Sequence, residues 1–216
     1  MIKQHTFREA VNQFDKLEKR SNFFTLATNL IHNSFDVEGY ILLLATWNFA
    51  LFRYAMKQFD IEQFRKSLLS LKEPFSRLEH YKIESADLDR SAADIKNIFT
   101  TLSKIEGVKF TGAPKLMHLK NPNLFVMWDE YIRGGKSKKY YDNLEIVTTG
   151  QCVIEKYGKD ADGYFRFLKD MQCRFSHLSS PSKTKTMAKA IDEFNYVTIT
   201  LPIQKAMKLA KQSGAG

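Results

Sequence analysis

Little in this chain points to metal or redox chemistry. It has two cysteines, Cys152 and Cys173, with no Cys-x-x-Cys pair, and five scattered histidines. Structural zinc sites and iron–sulfur clusters need tighter ligand spacing. Nothing calls for an organic cofactor either. Five prolines and ten glycines in 216 residues leave little room for disordered linkers. The N-terminal MIKQHTFREA carries no apolar signal segment, which predicts a cytoplasmic or nuclear setting. The uncharged interval between Glu38 and Arg53 holds ILLLATWNFALF. A membrane span needs roughly 20 apolar residues, so this run predicts a buried helix and no membrane partner. Strand-like alternation is confined to YVTITL, Tyr196–Leu201, too short to build a sheet. It predicts a turn between helices, or a helix start that overrides local propensity.

What remains is helical and basic. Seventeen Phe and nine Tyr supply rings for helix packing, and 33 Lys and Arg against 24 Asp and Glu give a formal charge of +9. Such an excess concentrates polyanions by long-range attraction, and nucleic acid is the expected partner. Thr6 and Glu9 have capping-box spacing for a helix to about Arg20, with Phe7, Val11, Phe14 and Leu17 on one face. Further helices are expected over Phe23–Ile31, over Val37–Met56 capped by Asp36, and over Ile61–Leu71, Pro74–His80 and Leu88–Ile105. Later ones are expected from Lys138 towards Tyr157 and over Gly163–Phe175, Lys185–Phe194 and Pro202–Lys211. Asn48 stands inside the apolar run, so it must bind backbone or face a cleft. The chain reads as all-α, a single unit over 1–216.

Leu102–Arg133, LSKIEGVKFTGAPKLMHLKNPNLFVMWDEYIR, is the most informative stretch. Gly107 and Gly112 mark a turn between two helices. Thr111 is placed to cap the second helix near Gly112, with Pro114 in its first turn. The free N–H groups at that end would offer an anion site, helped by Lys109. Lys115 and His118 share a face of this helix, which Asn121-Pro122 ends. Leu124, Phe125, Met127 and Trp128 are expected to pack beside Asp129. Asp129 would cap a helix starting at Glu130 while a desolvated oxygen faces a cleft. Gly134-Gly135 stops that helix.

This segment resembles the helix-hairpin-helix DNA glycosylase superfamily, whose members fold as two helical subdomains around a cleft; the resemblance implies approximate subdomains of 30–118 and of 1–29 plus 119–216. The resemblance implies a hairpin that binds DNA backbone, an amine nucleophile at Lys115, with Lys109 as a second candidate, and a catalytic carboxylate at Asp129. The hairpin here is Gly107-Val108-Lys109, which lacks the family's second glycine and predicts a longer turn. The implied partner is double-stranded DNA with a damaged or abasic nucleotide, and lysine-based base removal needs no cofactor. Expected DNA contacts are Lys109, Thr111, Gly112, His118, Arg133, Lys136, Lys138 and Lys139. Trp47 and Trp128 are candidates for stacking on a flipped base, and Lys109 and Lys120 are candidates for lowering the Lys115 pKa. Two other functions stay open: a non-catalytic helical DNA-binding protein on the same scaffold, and a helical protein-interaction domain.

Overall fold

The computed structural model describes residues 1–212; the last four residues of the unit read as 1–216, and of its segment 119–216, lie outside them. The described residues are helical throughout their regular structure. α1 (Gln4–Leu17), α2 (Ser21–His32), α3 (Asp36–Trp47) and α4 (Phe49–Ala55) are followed by α5 (Ile61–Ser70) and α6 (Lys72–Arg77). Then come α7 (Ala92–Ser103), α8 (Lys109–Lys120), α9 (Glu145–Thr148), α10 (Ala161–Phe175), α11 (Met187–Asn195) and α12 (Leu201–Gln212). Two helix clusters meet: α2 packs on α3, while α7 packs on α8 and α10, and α2 and α3 both touch α8. α1 folds back on α11, where Phe7 sits 5.7 Å from Phe194 and 5.3 Å from Phe175. No described helix is long and apolar enough to cross a membrane.

Several boundaries differ from expectation. α1 starts at Gln4 with no side-chain cap, so the Thr6–Glu9 box goes unused. Asp36 is the first residue of α3 rather than its cap, and pairs with Lys120 at 3.0 Å. The expected helix Val37–Met56 breaks at Asn48, whose φ of −122° leaves the helical region. Its amide compensates: Nδ2 donates to the carbonyls of Gly107 (3.0 Å) and Val108 (3.4 Å). The buried amide therefore ties the break in one cluster to the α7–α8 turn in the other.

α8 begins at Lys109, earlier than expected, and encloses Pro114. A proline there has no N–H for the carbonyl four residues back. That carbonyl, on Phe110, accepts the indole N–H of Trp128 at 2.8 Å instead. The helix expected after Asp129 is one turn, because Gly134 takes a positive φ of +74° and stops it. A Cβ on Gly134 would stand 2.4 Å from the carbonyl oxygen of Glu155, so only glycine fits. The long helix expected over 138–157 is absent. A 3-10 turn (Lys138–Tyr140) and the four-residue α9 replace it, and Gly150 at φ +68° turns the chain. Residues 152–157 then have no regular structure, and the N–H of Tyr157 donates to the Arg133 carbonyl at 3.0 Å. YVTITL does join two helices, but as a π-helical turn, Tyr196–Thr200. Pro202 can give no N–H to Thr198, and the helix widens there.

Candidate active site

Lys115 and Asp129 line one cavity of about 420 Å³. Its walls come from α3 and α4 (Trp47, Asn48, Phe49), α8 (Thr111, Lys115), the turn at Met127–Ile132 and the α11–π region (Lys189, Asp192, Tyr196). Both key residues are half-buried rather than sealed.

The amine of Lys115 donates to the carbonyl of Trp47 at 2.7 Å and to Oδ1 of Asn48 at 3.4 Å. The break after α3 supplies both acceptors, since the Trp47 carbonyl lies at the helix end and Asn48 follows it. Burial lowers the Lys115 pKa from 10.5 to about 8, with Arg20 adding to the shift and Asp129 and Asp192 opposing it. Two acceptors suit a neutral amine, which has two N–H donors and a lone pair left over. Lys109 and Lys120 do not supply the nearby positive charge, because they pair with Glu106 and Asp36.

Asp129 is held from both sides. Oδ1 accepts the N–H groups of Tyr131 and Ile132, both at 2.8 Å, in the capping geometry expected of it. Oδ2 accepts the hydroxyl of Thr200 at 2.8 Å. Burial is the largest influence on its pKa and raises it, against these hydrogen bonds and the Lys115 charge. A carboxylate has about four lone-pair sites, so Oδ2 keeps acceptor capacity. Thr200 comes from the π turn, 71 residues away in sequence, and no local signal pointed to it. The amine and carboxylate share the cavity without a direct ion pair among the described residues; the charges act on each other through space.

The other sequence-derived candidates divide by exposure. Trp47 is half-buried, lines the cavity, and has the Arg20 guanidinium 5.4 Å from its ring centre. Trp128 is only 1% exposed and its indole N–H is bonded to the Phe110 carbonyl, although it stands among the residues lining the cavity. His118 is fully buried with Nδ1 on the Phe125 carbonyl, so it is not a surface contact for the DNA backbone. Arg133 is buried too, held by Glu130 and the Tyr157 carbonyl. The Gly112 N–H is bonded to Val108, and a Cβ there would crowd Leu44 and Asn48 at 3.2 Å. Gly112 thus spaces helices and offers no anion donor. Thr111 does not cap α8; its hydroxyl donates to Asn48 Oδ1 at 3.3 Å. Lys109 keeps partial exposure beside Glu106. Lys136 lies over the Tyr131 ring, and Lys138 and Lys139 are exposed. Of the expected DNA contacts, Gly112, His118 and Arg133 are thus buried, while Lys138 and Lys139 stay exposed.

No family model matches this chain, and no curated protein or solved structure matches it.

Proposed function

We propose that the protein is a DNA-repair glycosylase with abasic-site lyase activity, on a helix-hairpin-helix glycosylase-like fold. The observation that carries this is one cavity holding a half-buried lysine of lowered pKa and a fixed carboxylate, in a chain of charge +9. The hairpin supports it. Gly107 and Lys109 both take positive φ, at +83° and +53°, so Lys109 adopts a glycine-like conformation where the family pattern has its second glycine.

A nucleotide turned out of the duplex enters the cavity. The neutral Lys115 amine bonds to the sugar C1′ as the C1′–base bond breaks, and the base leaves with the electron pair and takes up a proton. Asp129 faces the positive charge that develops on the sugar. Opening of the sugar ring, with the ring oxygen protonated, leaves an imine between Lys115 and C1′. Loss of a C2′ proton then expels the 3′ phosphate and cuts the strand.

The test is borohydride reduction with abasic-site DNA, comparing wild type with Lys115→Gln. Wild type should give a covalent protein–DNA complex and the variant none. DNA association should persist in both and weaken as salt rises. Equal trapping by the variant would remove Lys115 from its role. Salt-sensitive binding without trapping by wild type would remove the lyase activity; release of no base from damaged DNA as well would favour the non-catalytic DNA-binding function. Absence of both binding and trapping would favour a protein-interaction domain.

A further inference from the structure

A second cavity, of about 360 Å³, adjoins the first. Phe14, Glu18, Phe24, Trp47 and Lys189 line both, so the two share a wall. His118 lines the second cavity and not the first, with its ring tilted against that of Phe24 at 5.7 Å. Its Nδ1 faces the Phe125 carbonyl. A carbonyl only accepts, so Nδ1 carries the hydrogen and Nε2 is left as a bare acceptor. Burial lowers the His118 pKa to about 4, which keeps the ring neutral at physiological pH. Among the described residues, Nε2 is fully buried and has no hydrogen-bond partner. Buried polar atoms are almost always paired, and an orphan calls for an explanation.

The walls suit a flat ring. Phe24 and Trp47 meet edge to face at 6.2 Å, and the Lys189 ammonium lies 5.1 Å from both the Phe14 and Phe24 ring centres. The volume falls within the small-molecule range of about 300–1,000 Å³. Cations over aromatic faces and a lone acceptor favour a polarisable heterocycle with a donor edge.

We propose that this second cavity receives the extruded base, packed against Phe24 and Trp47, with a ring N–H donated to His118 Nε2. The inference rests on the glycosylase function and gives it a substrate class. Bases carrying a ring N–H, such as uracil or hypoxanthine, are preferred over adenine and cytosine, whose ring nitrogens other than the glycosidic one are acceptors only.

Nucleosides test this on the full chain without any DNA chemistry. Binding of deoxyuridine and deoxyinosine is followed by tryptophan fluorescence, against their N3- and N1-methylated forms, deoxycytidine and deoxyadenosine. Saturable binding at least about tenfold tighter for the ring N–H forms is expected, the order of one lost hydrogen bond. His118→Phe should erase the preference. Equal binding of methylated and unmethylated nucleosides by wild type would overturn the assignment, as would no saturation up to the solubility limit. Trapping of abasic DNA needs no base, so it reports on Lys115 separately. Trapping without a ring N–H preference sinks the cavity assignment alone. A ring N–H preference without trapping removes the lyase step from Lys115 and leaves the cavity as a base site.

Discussion

Lys115 carries the chemistry only as a neutral amine, and its surroundings set when that form is available. With a pKa of about 8, the rate of borohydride trapping should rise tenfold per pH unit below 8 and level off above it. A pH-independent rate between 6 and 9 would contradict the assignment. The same shift has a stability consequence. The folded-state value lies below the ordinary 10.5, so the unfolded chain binds more protons between about 8 and 10.5, and stability rises with pH across that window. Lys115→Met should therefore stabilise the protein at pH 7 by roughly 1–2 kcal/mol, net of the hydrogen bond lost at the Trp47 carbonyl. Chemical denaturation would show the gain shrinking as pH climbs from 8 to 10.5. Asp129 stood out in the sequence as a carboxylate beside an apolar, aromatic run and Lys115 through the family resemblance, and both line one cavity. Thr200 was not legible, since it reaches Asp129 through a π turn that no local pattern encodes. Asn48 was legible as an exception in an apolar run but not as the link to Lys115.

At the scale of elements, the hairpin and the break in the α3–α4 run are one device. Gly107 stands at φ +83°, where a Cβ would come 3.0 Å from that of Ala55 and 3.1 Å from Phe52. Gly107→Ala should cost roughly 1–3 kcal/mol by urea denaturation. Lys109 holds φ +53°, so Lys109→Gly should be neutral or stabilising by up to about 1 kcal/mol, since a left-handed residue with a side chain is strained. Its exposed pair with Glu106 contributes little against this. A loss of more than 1 kcal/mol in Lys109→Gly would contradict a strained turn. The sequence announced the turn through Gly107, but Lys109 gave no sign of its left-handed backbone. Periodicity also ran α3 into α4, because apolar spacing continues through Asn48 while its amide leaves the helix for the hairpin carbonyls. Over 138–157 the periodicity misled altogether: Gly150 and the pairing of Tyr157 with Arg133 outweigh the local helical pattern.

For the whole molecule, fold class was the easiest property to read, since ring-rich helical segments and a lone strand-like stretch admit little else. The basic charge was harder to place. Arg133, Lys185 and Lys189 are spent on internal pairs with Glu130, Glu193 and Asp192. The exposed cations that remain for a polyanion include Lys138 and Lys139. The central claim is that two helix clusters meet so that one amine and one carboxylate share a cavity of nucleotide scale. Peptide mapping of the borohydride-reduced complex with abasic DNA tests it most directly. The account predicts the reduced sugar adduct on Lys115 of wild type; an adduct on Lys109 or another lysine, or none at all, would contradict it.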